Sequence, residues 1–222
     1  RRATPSRRSL VVGDPNFRAE DAETHEKQLD HAVLEAKRVH ALLESHGRAA
    51  VLVTGADATK EAVTGGIRTS DIVHLATHGR PTGVLMADGI LSMAELQALR
   101  LQSSPLIVLS ACNTFGGKLG TDSVVGIARS CLVAGASSVL ASLWPVEDAA
   151  TRKLMEGFYR RLLTGDDMDV AAALQGSMLE MLRRGAHPRQ WAPFVCFGLQ
   201  YASKATYTRI LHERVADRKS SA

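Results

Sequence analysis

Asp71-Ile72-Val73-His74-Leu75-Ala76-Thr77-His78-Gly79 and Pro105-Leu106-Ile107-Val108-Leu109-Ser110-Ala111-Cys112-Asn113 decide the fold. Each is a short run of branched and aliphatic residues, the pattern of a strand buried on both faces of a parallel sheet. Each run then gives way to small or polar residues and carries a reactive side chain at its exit, His78 in the first and Cys112 in the second. In open α/β sheets, ligands and catalytic groups collect at the carboxyl ends of the strands. A histidine and a cysteine delivered there are candidates for a base and its nucleophile.

Elements on either side of these runs alternate between strand and helix. Ser9 to Val12 reads as a first strand, stopped by the turn-favouring residues Gly13-Asp14-Pro15-Asn16. Leu29, Ala32, Val33, Ala36, Val39 and Leu43 recur at three and four residues and predict a helix lying on the sheet, ended by Gly47. A strand over Ala49 to Val53 and a short helix over Thr59 to Val63 lead to the strand that ends at His78. Gly83 to Ile90 reads as a small hairpin beside the site. Ser92-Met93-Ala94-Glu95 spells a capping box that starts a helix. After Ser110 come a glycine-rich loop, Gly116 to Gly120, a helix opened by Thr121 or Asp122, and a strand from Ser137 to Leu143 closed by Trp144-Pro145. Helices over Ala149 to Leu163 and Met168 to Leu182, a last strand within Phe194 to Leu199, and a basic, helical tail complete the order. This alternation predicts an α/β fold with a mostly parallel sheet covered on both faces.

The 222 residues suffice for one sizeable core, and 45% hydrophobic content with a net charge of +4 excludes a disordered chain or a strongly basic nucleic-acid binder. Much of the positive charge is terminal: Arg1, Arg2, Arg7 and Arg8 crowd the start, and Lys204, Arg209, Arg214, Arg218 and Lys219 punctuate the end. Without interleaved aromatics such runs read as solvated tails, so no specific nucleic-acid partner is expected. No apolar segment approaches the ~20 residues that span a bilayer, and no membrane association is expected. Cys112, Cys131 and Cys196 are odd in number and widely spaced, without a CxxC pair, which fits a reducing, cytoplasmic location. The chain starts without methionine in a Pro/Ser/Arg stretch, the composition of a linker, as in a domain cut from a longer protein.

Only a thiolate attacks efficiently, and a free cysteine of pKa ~8.5 is mostly protonated at neutral pH, so Cys112 needs a base such as His78. The backbone N–H groups of Gly79 and Cys112 are candidates for holding an oxyanion, since glycine lets a carbonyl approach the main chain closely. Most free cysteines are small buried hydrophobes, and Cys131, on a helix face, and Cys196, in an apolar strand, are read that way. His74 and His78 have the HxxxH spacing of a helical metal site, but along a strand four residues span ~13 Å, so they do not share one ion. His74 is expected to be a core histidine with a hydrogen-bond partner. The Gly116-Gly117-Lys118-Leu119-Gly120-Thr121 stretch lacks the order of a phosphate-binding loop, and no GxGxxG is present. A nucleotide-binding domain therefore rests on architecture alone.

The combination of Leu10-Val11-Val12-Gly13-Asp14-Pro15, His74-Leu75-Ala76-Thr77-His78-Gly79, Leu109-Ser110-Ala111-Cys112-Asn113-Thr114 and Ser142-Leu143-Trp144-Pro145-Val146-Glu147-Asp148 resembles the CHAT domain. That family is caspase-like, grouped with separase and often attached to tetratricopeptide repeats; Trp191-Ala192-Pro193-Phe194 extends the resemblance nearly to the tail. The resemblance implies a caspase-type three-layer α/β sandwich. It implies a cysteine endopeptidase acting on a protein or peptide substrate through His78 and Cys112, without metal or organic cofactor, and tetratricopeptide repeats elsewhere in the full-length chain. It also implies that Asp148, or else Glu147, faces a basic side chain before the cut, although an aspartate at a helix start commonly caps orphan amides, and capping is the favoured reading of Asp148. Arg80-Pro81 stands where relatives commonly have an aromatic residue, and Asn113 where they often have an acidic one. Residues 1–8 are expected to be a linker or tail, 9–201 the CHAT-like peptidase domain and 202–222 a basic C-terminal tail. The rival expectation is an inactive interaction or scaffold domain, because fold does not guarantee chemistry.

Overall fold

A central six-stranded sheet in the order β2-β1-β3-β7-β8-β9 organises the computed structural model, which describes residues 7–15, 30–110, 121–144, 146–165 and 168–201, with only the backbone for 30, 31, 121 and 148. Its strands are β1 (Arg8–Pro15), β2 (Ala49–Gly55), β3 (Ile72–Ala76), β7 (Leu106–Leu109), β8 (Ser138–Ser142) and β9 (Phe194–Gly198). All neighbours pair in parallel except β9, which runs antiparallel to β8 at one edge. β3 and β7 lie side by side, with His74 opposite Val108 and Leu75 opposite Leu109.

Alternate side chains of these strands enter two separate cores. On one face Leu10, Val12, Val73, Leu75, Ile107 and Leu109 pack with helices α2 (Lys60–Thr69), α3 (Met93–Gln97) and α4 (Thr121–Ala134). On the other, Val11, Ile72, Leu106, Val108 and Leu140 pack with α1 (Asp30–Ser45), α5 (Asp148–Thr164) and α6 (Val170–Arg183). Both faces of β3 are shut off from water, all five of its residues being buried. The period-two alternation of a half-exposed strand is therefore absent from its sequence. A three-stranded antiparallel sheet, β4 (Gly79–Arg80), β5 (Gly83–Met86) and β6 (Gly89–Ser92), follows β3 and includes the expected hairpin. The Ser92 to Glu95 capping box closes as its sequence predicts: the Glu95 amide donates to Ser92 Oγ at 3.2 Å and the Ser92 amide to Glu95 Oε2 at 2.8 Å.

Two expected boundaries move. Gly13, expected to end β1, instead lies within it, because α1 crosses there: a Cβ on Gly13 would lie 2.5 Å from Ala36 Cβ. The strand continues to Pro15 through a register shift at Asp14, whose φ of 42° is left-handed and whose side chain is buried. β3 ends at Ala76, two residues before His78, as the backbone bends at Thr77 toward the small sheet. At the opposite, amino end of the sheet, buried Arg48 donates from Nε to Ser9 Oγ at 2.9 Å and stands 3.4 Å from Asp71. Burial pulls the Arg48 guanidinium below its usual pKa and pushes the Asp71 carboxyl up, against their mutual attraction, so desolvation outweighs this long ion pair.

Candidate active site

His78 is fastened from the small sheet. Thr77 Oγ1 donates to the carbonyl of Leu85 at 2.6 Å, and the Leu85 amide donates to the carbonyl of His78 at 2.9 Å. Both backbone groups of one β5 residue thus hold the two residues that leave β3. The sequence signal for this clamp was an ordinary threonine beside the histidine, and sequence reasoning missed it. His78 is 2% exposed, and its Nε2 has no contact with solvent.

Gly79 pairs with Val84 across the β4–β5 ladder, and the Leu85-to-His78 bond identifies that pair as one whose own backbone groups point away from each other. The Gly79 N–H is thereby left out of the hairpin ladder. β7 exits directly beside β3, and its last described residue, Ser110, is buried with no hydrogen-bond partner for its hydroxyl among the described residues. Cys112 and the glycine-rich loop from Gly116 to Gly120 lie outside the described residues. Asp14 belongs to the same rim, since β1 neighbours β3 with Gly13 opposite Ala76. Its sequence context read as a turn and gave no hint of that position.

The other two cysteines are placed as expected. Cys131, on α4, is buried, and burial pushes its thiol up to about 12; Cys196, on β9, is half-buried and pushed up to about 11 by the same cause. Neither supplies an appreciable thiolate at neutral pH.

The two acidic candidates separate. Glu147, not Asp148, occupies the N-cap position of α5, and it makes no side-chain cap hydrogen bond; Asp148 is the first helical residue, and its side chain lies outside the described set. The expected Asp148 cap is thus shifted by one residue, because the backbone is still extended at Glu147 and turns helical only at Asp148. Glu147 is exposed and accepts from Gln190 Nε2 at 3.4 Å, at one end of a cavity of about 490 Å³ between α5 and α6. Lys153, Arg160 and Arg184 also line that cavity alongside Glu156 and Glu180, so it presents no acidic surface for a basic chain.

His74 is a core histidine. Its Nε2 stands 3.0 Å from the buried Glu35 Oε1 of α1, off the direction of a good hydrogen bond, and its Nδ1 lies 3.1 Å from the Tyr159 hydroxyl of α5. With the imidazole proton on Nε2, Nδ1 accepts the tyrosine O–H. Burial, with the nearby Glu35 charge, raises the Tyr159 phenol well above its ordinary pKa and keeps it a donor. Among the described residues no three His, Cys, Asp or Glu side chains gather as a metal ion would require, and no helix is long and apolar enough to cross a membrane.

Known proteins share both the sequence pattern and the architecture. The family model "CHAT domain" matches residues 1–199. Tetratricopeptide repeat protein 28 of Mus musculus is 28% identical over 191 residues, covering 66% of this chain but 8% of that protein. Its Homo sapiens counterpart is 33% identical over 109 residues, covering 49% of this chain and 4% of the relative. The chain therefore spans less than a tenth of the length of these curated relatives. Among solved structures, the Arg-specific cysteine proteinase gingipain R superposes with a TM-score of 0.66 at 12% identity, over 88% of this chain and 47% of that one. Separase in the Saccharomyces cerevisiae separase–securin complex gives 0.54 at 18% identity, over 88% and 12%. At such identities the likeness establishes the fold, a mostly parallel sheet between helical layers of caspase type. With the family pattern matched along most of its length, the chain belongs to the CHAT domain family.

Proposed function

We propose that this domain is a cysteine endopeptidase whose nucleophile is Cys112 and whose base is His78. The observation that carries the reading is the clamped exit of β3 beside β7: the backbone of His78 is fixed just past the strand that neighbours β7, the strand that ends three residues before Cys112 in the sequence. His78 takes the thiol proton, the thiolate bonds to the peptide carbonyl carbon, and the oxyanion is held by the N–H groups of Gly79 and Cys112. The C–N bond then breaks as the imidazolium protonates the amine, and water, deprotonated by His78, releases the acyl group and restores the thiol. Asp148, or else Glu147, faces a basic side chain before the cut, a reading supported by the Arg specificity in the name of gingipain R. The cavity beside Glu147 is mixed in charge, which favours Asp148 of the two. The free thiols of Cys131 and Cys196 support a reducing, cytoplasmic setting. Relatives named for tetratricopeptide repeats support such repeats in the same full-length chain, with residues 9–201 as the peptidase unit.

A thiol-directed peptidyl probe tests the assignment. Labelling is expected to survive Cys131→Ala and Cys196→Ala and to vanish with Cys112→Ala; labelling unchanged in the last variant refutes it. A second reading, a scaffold without catalysis, is favoured by one observation, the 2% exposure of His78. It predicts no labelling of Cys112 in the full-length protein under any activating condition.

A further inference from the structure

Strand β2 forms the outer edge of the sheet, and its backbone groups divide cleanly. The Ala49 amide donates to the carbonyl of Arg7, so residues 49, 51 and 53 direct N–H and C=O toward β1, while 50, 52 and 54 direct theirs outward. Two outward carbonyls are engaged: Ala50 O with His40 Nε2 at 3.2 Å, and Thr54 O with the Asp57 amide at 3.3 Å. Leu52 is the residue at which both outward groups, donor and acceptor, meet no partner among the described residues. Natural edge strands are normally guarded by charge, proline or brevity. β2, Ala49-Ala50-Val51-Leu52-Val53-Thr54-Gly55, is seven residues long with no charge and no proline, and Val51 is 59% exposed.

We propose that β2 is a self-pairing edge, joining two copies of this chain antiparallel about a dyad at Leu52 into one twelve-stranded sheet. A second copy is the occupant because the free groups are self-complementary. At the dyad each Leu52 N–H meets the other copy's Leu52 C=O. The outward Ala50 and Thr54 amides face the partner's Thr54 and Ala50 carbonyls, each of which has a second lone pair. The intervening positions become closely spaced pairs without hydrogen bonds, where Val51 of each copy lies against Val53 of the other, a favourable cross-strand pairing that buries the exposed valine. No charge on either strand opposes the approach. The inference is independent of the peptidase reading, since β2 lies at the sheet edge, separated from β3 by β1.

Sedimentation equilibrium of the 222-residue chain over a range of concentrations tests it. The expected result is a monomer–dimer equilibrium whose dissociation constant rises about tenfold or more in Val51→Lys and in Thr54→Pro. The proline removes an outward donor and leaves the ladder with β1 intact. A monomer at every concentration, or a dimer indifferent to both substitutions, overturns the proposal. Should either variant fail to fold by circular dichroism, Leu52→Cys carries the test. The dyad brings the two copies of residue 52 to ~5.5 Å between Cα atoms, within disulfide range, so mild oxidation should give a reducible dimer. Ala50→Cys, whose cross-strand mate is Thr54, should not. A dimer from Ala50→Cys with none from Leu52→Cys overturns the register.

Discussion

His74 and His78 lie four residues apart and are equally hidden, at 0% and 2% exposure, yet their surroundings differ in kind. His74 sits inside β3 with its ring nitrogens turned to Glu35 and Tyr159, side chains from two helices. His78 sits beyond the strand end, where its backbone is fastened by β5. Burial alone therefore does not distinguish the two positions. The difference lies in what is held: the ring nitrogens of His74 face side chains of two helices, whereas the main chain of His78 is held by β5.

Substitution at each position should pull activity and stability apart. His78→Ala is expected to lower peptidase turnover by ~10²–10⁴-fold, with little change in the thermal midpoint; a collapse in stability with proportionate loss of activity would erase the contrast. His74→Ala should do the reverse, leaving the Glu35 carboxylate buried without its imidazole at a cost of ~3–5 kcal/mol, measured by urea unfolding. A double variant, Glu35→Gln with His74→Ala, should recover part of that loss, and failure to recover any would show that the charge is not its source. Tyr159→Phe removes one donor to a buried ring and should cost ~1–3 kcal/mol. Thr77→Val should cost ~1 kcal/mol and lower kcat/KM beyond what the lost stability explains, since it loosens the clamp on His78.

The smallest effect is a pH dependence away from both histidines. Bonds from Ser92, then Lys60, hold the Glu95 carboxyl at about 2, below its ordinary 4.5. The ionised form is therefore favoured by folding, and its contribution is present above pH 4.5 and lost as pH falls toward 2. Because Glu95 is 45% exposed, solvent screening keeps the effect slight. Glu95→Gln should flatten the acid limb of the stability curve over that window, and an unchanged limb would assign acid sensitivity to other carboxyls.

Much of this contrast was legible in the sequence, because strands covered on both sides leave uninterrupted apolar runs, and β3 and β7 do. The core character of His74 followed from its place inside such a run. Its partners did not: Tyr159 is 85 residues away, and nothing local marks Glu35 as a residue that turns inward from a helix. Gly13 was misread for a related reason. A glycine before Asp-Pro carries a turn signal in the sequence, whereas the close crossing of α1 at Ala36 that requires it is a tertiary fact. The N-cap of α5 falls on Glu147 rather than Asp148, a choice between adjacent acidic residues that the local pattern does not make. The Thr77 clamp needed β5 beside it to acquire meaning.

The link from Glu35 through His74 to Tyr159 joins α1, the central strand and α5, elements that enter the chain far apart. Local opening of either helix would strand a polar atom in the apolar layer, so neither is free to fray into its interior alone. Native-state amide exchange should accordingly find the middle turns of both helices protected to the same free energy as β3, a single cooperative unit. In Tyr159→Phe the α1 and α5 amides should begin to exchange at separate levels.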